Sequence, residues 1–195
     1  QMRELIQHAV RAPYGLGEQT VLDTSVRKVW QIAANQVQLS GKSWATSLQK
    51  IIDHVALGLG CEAAMVSAEL YKMLVYDQGS FFATHRDTEK SDGMFGTLVV
   101  VLPSVHHGGE LVIRHAGREV TVDVSTAEMS ELAFIAFYAD CQHAVKPITD
   151  GNRLCLVYNL VMRQRTKKSQ SYVSAPLYDT EVTKAEQLIT TAMAA

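Results

Sequence analysis

The chain has 195 residues, 47% of them hydrophobic and 19% charged, with a formal net charge of −2. This length suits one domain with a full core, and so small a charge gives no general pull toward nucleic acid or an anionic membrane. No apolar run reaches the roughly 20 residues of a membrane-spanning helix, and Gln1-Met2-Arg3-Glu4 does not open a signal peptide.

Residues 1–62 read as a helical support. Val26, Val29, Trp30, Ala33 and Val37 recur at helical spacing behind the cap cluster Asp23-Thr24-Ser25. Trp44, Leu48, Ile51, Ile52, Val55 and Leu59 repeat that spacing behind Ser43, until Gly58 and Gly60 stop it. A Pro/Gly loop, Pro13 to Gly17, lies before them. From about residue 66 the period changes to that of strands. These are expected over 69–76, 81–85, 96–102, 110–115, 119–124, 132–138 and 153–162. Their separators are turn-rich, as in Ser91-Asp92-Gly93, Gly108-Gly109 and Asp150-Gly151-Asn152. Many short strands with such punctuation suggest a sandwich or jelly roll. Residues 163–195 read as a linker and an amphipathic helix over 183–193. The expected organisation is a single α+β domain with its β core over 66–162. The ends, Gln1 and Ala195, leave room for a longer parent protein.

The three cysteines, Cys61, Cys141 and Cys155, form no CxxC pair. Packed thiols in a reducing compartment fit that pattern, so an intracellular location, cytoplasmic or nuclear, is expected.

The chemistry concentrates at His85-Arg86-Asp87, answered by His143 and Arg153. On extended backbone, residues two apart share a face, so His85 and Asp87 can reach one ion. His143 would join them after the strand over 132–138. Two histidines and one carboxylate form the facial set that holds Fe(II) and leaves positions open. Zinc competes for the same donors, although no HExxH helix accompanies them. A histidine bonded to its neighbouring aspartate on a surface turn, with His143 satisfied in a loop, is the bland alternative. Arg153 opens the strand Arg153-Leu-Cys-Leu-Val-Tyr-Asn-Leu160, sharing a face with Cys155, Val157 and Asn159. Buried there, it needs a carboxylate partner. Tyr76 shares a face with Leu74 and Lys72, and Asn159 is a candidate substrate contact.

With these residues assembled, the chain resembles the 2-oxoglutarate- and Fe(II)-dependent dioxygenases, in particular their prolyl-4-hydroxylase-like branch. Tyr76-Asp-Gln-Gly-Ser-Phe-Phe-Ala-Thr-His-Arg-Asp87 is similar to that branch's Tyr-x-x-Gly leading into His-x-Asp. Gly96 to Leu102 followed by Gly108-Gly109-Glu110-Leu111 resembles its next two strands and their turn. The resemblance covers residues 66 to 162. It implies a double-stranded β-helix, with iron held by His85, Asp87 and His143 at one open end. It implies 2-oxoglutarate on the iron with its far carboxylate on Arg153, Tyr76 and Thr97 as helpers, and O2 at the remaining position. The implied reaction is hydroxylation through a ferryl oxidant, with release of succinate and CO2. Collagen-type relatives usually carry Lys in place of Arg153, and oxygen-sensing ones a Tyr near Val101. Asp87 is present, which disfavours halogenation.

Other features have plain readings. His106-His107 suits a solvated turn better than a second metal site. The Arg114–Arg118 hairpin and the basic run Arg163–Lys168 suit solvated edges, and residues 88–93 a loop beside the metal. The polar loop and hairpin suggest an open rim for a protein or peptide substrate, such as one presenting proline. A free amino acid or other small molecule is the alternative, and a non-catalytic partner-binding β-domain is a third reading.

Overall fold

Two antiparallel sheets face each other, and alternation along their strands decides which residues lie between them. The computed structural model describes residues 2–16, 19–125, 128, 130, 132–163, 173–176, 183, 184 and 187. In chain order the elements are α1 (Met2–Gln7), β1 (Val10–Arg11), β2 (Tyr14–Leu16), β3 (Gln19–Val21), β4 (Arg27–Lys28), β5 (Trp30–Ala33) and α2 (Trp44–Gly58). There follow β6 (Val66–Tyr76), β7 (Phe81–His85), β8 (Met94–Val101), β9 (His106–Gly108), β10 (Leu111–His115), β11 (Arg118–Val122), β12 (Ala133–Tyr138), β13 (Gln142–Val145), β14 (Ile148–Gly151) and β15 (Arg153–Met162). The larger sheet runs β1-β5-β6-β15-β8-β12 and the facing sheet β11-β10-β13-β7-β4. Sequence neighbours such as β6 and β7 fall in different sheets, while β15 returns to lie between β6 and β8. This crossing between sheets is that of a double-stranded β-helix, and the few helices make the class α+β.

The apolar residues form two layers. Leu74, Phe82, Val101, Leu111, Phe137 and Cys155 pack between the sheets. On the other side of the larger sheet, Leu98, Val100, Leu156 and Leu160 meet Ile51, Ile52, Val55 and Ala56 of α2. β15 serves both layers by alternation, with Arg153, Cys155, Val157 and Asn159 inward and Leu156, Tyr158 and Leu160 toward α2. β6 carries a bulge, because Val157 pairs with Lys72 and Tyr158 with Leu70. The extra residue, Tyr71, joins Lys72 on the inner face.

The expected helix over 44–59 is observed as α2. The expected helix over 26–37 is not; β4 and β5 occupy it, followed by one 3-10 turn, Ala34–Gln36. Arg27 pairs with Phe82 and Trp30 with Val75, so sheet pairing outweighed a helical spacing carried mostly by β-favouring Val and Trp. Residues 1–62 therefore hold five short strands beside α1 and α2. His106 is also not on a solvated turn. It lies in β9, 1% exposed, its Nδ1 2.8 Å from the Ser104 carbonyl. The expected helix over 183–193 and the basic run after Arg163 lie almost wholly outside the described residues. No helix among the described residues is long and apolar enough to cross a membrane.

Candidate active site

β7 and β13 are neighbouring antiparallel strands, and their register sets His85 opposite His143. Asp87 lies two residues beyond His85. The ligating atoms of His85, Asp87 and His143 all fall within 4.8 Å of one another, and His143 Nε2 is 3.8 Å from Asp87 Oδ2. His143 is thus on a strand, not in the loop its sequence context suggests.

Each donor is oriented from behind. His85 Nδ1 lies 2.9 Å from the Ala83 carbonyl and His143 Nδ1 3.3 Å from that of Cys141. A carbonyl only accepts, so these nitrogens carry the protons and each Nε2 keeps a lone pair. Thr97 donates its hydroxyl to Asp87 Oδ2 at 2.6 Å, fixing the carboxylate as an outer-shell partner does in a metal site. Phe82 stacks on His85 with ring centroids 3.5 Å apart, and Phe137 packs on His143 at 4.5 Å. Burial in this apolar collar pushes both imidazoles below their ordinary range, and the neighbouring His143 adds to the effect at His85. Both are neutral at pH 7, the form that ligates.

The donor set fits one ion. Octahedral neighbours about 2.1 Å from a metal stand about 3 Å apart, so shifts of about 1 Å per side chain close the triad.

The three donors line a cavity of about 200 Å³ between the sheets, which Arg153, Tyr76 and Asn159 also line. Arg153 is only 4% exposed. Its Nη1 donates to the Gly109 carbonyl at 2.6 Å, and its guanidinium lies 4.3 Å over the Tyr76 ring. Its Nε is buried with no partner. A buried, unpartnered guanidinium N–H on a cavity-lining arginine fits a ligand carboxylate. Gly108-Gly109 makes the close approach possible. Gly109 has φ +77°, and a Cβ there would stand 2.3 Å from Ile148 Cδ1 and 3.1 Å from Arg153 Nη1. Thr97, expected beside the co-substrate carboxylate, lines the same cavity and donates its hydroxyl to Asp87.

Two buried cations of the cavity, Arg27 and Lys72, were not among the residues expected at the site. Lys72 left a signal, since it shares parity with Leu74 and Tyr76 and so had to point inward. Arg27 left none, because its segment reads as helix. The Arg114–Arg118 hairpin also differs from expectation: it lines a separate concavity, and only Arg86 is shared with the main cavity. Beside that hairpin, His115, Asp140 and Cys141 also bring donor atoms within 4.8 Å of one another. Asp140 accepts from the Ala175 amide, and burial raises the Cys141 thiol away from the thiolate a metal needs.

A jelly roll holding two histidines, a carboxylate and a buried arginine in one cavity is the arrangement of a non-haem Fe(II) oxygenase that uses 2-oxoglutarate. Residues 71–161, the stretch that holds His85, Asp87, His143 and Arg153, match the family model described as the 2OG-Fe(II) oxygenase superfamily. The enzymes of this family use Fe(II), 2-oxoglutarate and O2. Among solved structures, the chain is similar to a Pseudomonas putida prolyl-4-hydroxylase at 20% identity, covering 83% of this chain and 82% of that one, with a TM-score of 0.52. It is similar to a Trichoplax adhaerens prolyl hydroxylase, solved with a peptide of hypoxia inducible factor, at 17% identity, 83% and 74% coverage and a TM-score of 0.53. It also resembles the α-ketoglutarate-dependent epimerase SnoN of nogalamycin biosynthesis at 16% identity, 84% and 73% coverage and a TM-score of 0.51. At these identities the likeness establishes the fold. None of the curated proteins compared with the chain matches it in sequence.

Proposed function

We propose that the protein is a 2-oxoglutarate-dependent hydroxylase of a protein or peptide side chain, such as proline. The observation that carries the reading is that one cavity is lined by the His85–Asp87–His143 donors and by Arg153, a buried cation whose Nε has no partner. When bound, Fe(II) with 2-oxoglutarate and O2 supplies the oxidation, one oxygen atom entering a substrate C–H bond while 2-oxoglutarate leaves as succinate and CO2.

The chain's own residues do the positioning. His85, Asp87 and His143 would hold the metal, with Thr97 steering the carboxylate of Asp87. Arg153 would clamp the distal carboxylate of 2-oxoglutarate, its planar fork suiting that group better than a lysine would. Tyr76, stacked under Arg153, keeps the guanidinium in place and lines the co-substrate's path. Phe82 and Phe137 exclude water around the histidines. Asn159, inward on β15 and lining the cavity, would contact substrate. Holding the reacting carbon in a fixed pose is the protein's main contribution to such a reaction.

The peptide reading is supported by the polar residues around the cavity, among them Thr20, Gln31, Arg86, Thr88 and Lys90. It is also supported by a fold shared with prolyl hydroxylases, one of them holding a peptide. A second reading, a free amino acid or other small molecule, is favoured by the hairpin Tyr14–Val21, whose Gly15 lies against Thr88 and narrows the approach.

Anaerobic addition of Fe(II) and 2-oxoglutarate should give the weak visible charge-transfer band of the chelate, lost in His143→Ala. Proline-containing peptides and free amino acids would then be screened aerobically for succinate release coupled to substrate oxygenation. A chain that binds metal and 2-oxoglutarate without a band, or never forms succinate, would not be this enzyme.

A further inference from the structure

Two buried cations in the cavity wall have no work in the site described so far. Arg27 comes from β4 of one sheet and Lys72 from β6 of the other, and both line the cavity. Arg27 is 7% exposed and Lys72 9%. Buried charges are costly unless paired, yet among the described residues neither has an ion pair. Arg27 donates one Nη1 bond to the Pro13 carbonyl at 2.8 Å, and its Nε has no partner. Lys72 donates to Gln31 Oε1 at 3.0 Å, leaving two of its three protons. Asp87 is the one acidic side chain among the described residues lining the cavity.

The charges of the proposed catalytic assembly balance without them. The two positive charges of Fe(II) and the one on Arg153 are matched by Asp87 and the two carboxylates of 2-oxoglutarate. Arg27 and Lys72 are left over. Arg27 is nonetheless next to the chemistry: its guanidinium lies 4.2 Å over the Phe82 ring, which also stacks on the His85 imidazole. An anion bound by Arg27 would therefore sit about one aromatic ring from the reacting centre.

We infer that Arg27 and Lys72 form an anion clamp for the substrate, which presents a carboxylate to them while its reacting carbon faces the metal. The inference rests on the hydroxylase reading and names the substrate class. Two sources supply the same chemistry, the Asp or Glu side chain of a peptide and the α-carboxylate of a free amino acid. An arginine and a lysine from opposite walls grip both oxygens of one carboxylate, which neither the oxygen of an amide nor a hydroxyl could repay. Burial, with Arg27 and Lys90 nearby, draws the Lys72 ammonium down to about 7, and a bound carboxylate would restore its charge.

The full chain would be held anaerobically with Fe(II) and 2-oxoglutarate, so that no turnover occurs, and titrated calorimetrically. One arm uses the free amino acids against their carboxamides; the other uses capped peptides carrying Asp or Glu against their Asn or Gln twins. The acid of at least one pair should bind roughly 10- to 100-fold tighter than its amide, the range for a charge-assisted bond. That preference should fall toward one in Lys72→Met and in Arg27→Gln. Arg27→Lys should restore part of it. The arm in which the preference occurs identifies the source. Equal binding of acid and amide, no binding in either arm, or a preference that survives both substitutions overturns the clamp. Loss of the chelate band itself in the unsubstituted protein would instead remove the hydroxylase reading, so the two failures are distinguishable. If Arg27→Gln fails to fold, because Arg27 also holds Pro13, Lys72→Met and the unsubstituted acid–amide pairs still decide.

Discussion

At the scale of single residues, the site is built by close approaches that leave little latitude. Gly109 is the sharpest case. Its positive φ and the 2.3 Å from a would-be Cβ to Ile148 Cδ1 mean that Gly109→Ala must move backbone, Ile148 or Arg153. A cost of about 1–3 kcal/mol is expected, read by chemical denaturation, together with weakened 2-oxoglutarate binding because Arg153 Nη1 is bonded to the same residue's carbonyl. Lys72 makes the opposite case. Its folded-state value lies near 7, below its ordinary value of 10.5, with burial the main cause. Between those two values the unfolded chain binds more protons than the folded one, so this lysine's penalty is full below about pH 7 and fades as pH rises toward 10.5. Arg27 and Lys90 oppose its charge, Asp87 supports it, and Gln31 and the Tyr71 ring face it without charge. Lys72→Met should therefore raise the melting temperature by several degrees at pH 7 and by clearly less at pH 10. Equal gains at both values would show that packing, not charge, sets the difference. A buried cation that weakens the fold is what a binding residue looks like when function opposes stability.

At the scale of elements, the larger sheet separates stability from chemistry. Its outer face carries α2, and its inner face the cavity. Ile52→Ala on α2 should cost about 2–5 kcal/mol, seen as a lower denaturation midpoint, while 2-oxoglutarate affinity holds, because Ile52 packs against Leu98, Val100 and Leu156 on the far side. The same division explains what was legible in the sequence. β7 and β15 were expected at their observed bounds, and β6, β8, β10 and β12 within a few residues, because one-sided or two-sided burial writes a period of two into Val, Leu and Phe. Where pairing is set by distant partners the signal fails. β4 and β5 are too short to alternate, and their residues also match a helical period. β13 is Gln142-His-Ala-Val145, too short and too polar to announce itself, although its register with β7 and β10 places His143. That His85, Asp87, His143 and Arg153 come to one cavity was legible because the proposed chemistry needs those residue types in that order. The clamp residues were not, because a Lys or Arg inside a cavity looks like any other until its burial is known.

At the scale of the whole molecule, the proposed site spans the two sheets. His85 and His143 stand on the five-stranded sheet, and Arg153 on the six-stranded one. A metal bound by the triad touches one sheet alone. 2-Oxoglutarate chelating that metal, with its far carboxylate on Arg153, would tie the sheets together. The two ligands should therefore stabilise the fold cooperatively. A ligand at about a hundred times its Kd adds about 2.7 kcal/mol, or roughly 5–10 °C for a chain of this size. Thermal melts of the protein alone, with Mn(II), with 2-oxoglutarate and with both should show a small effect of 2-oxoglutarate alone, a moderate one of metal and the largest of the pair, exceeding the sum of the single shifts. Arg153→Ala should keep the metal's increment, because the triad is intact, and lose most of the further increment from 2-oxoglutarate. Were 2-oxoglutarate to stabilise the Arg153→Ala protein as fully as the unsubstituted one, its far carboxylate would lie elsewhere and the bridge between the sheets would not exist.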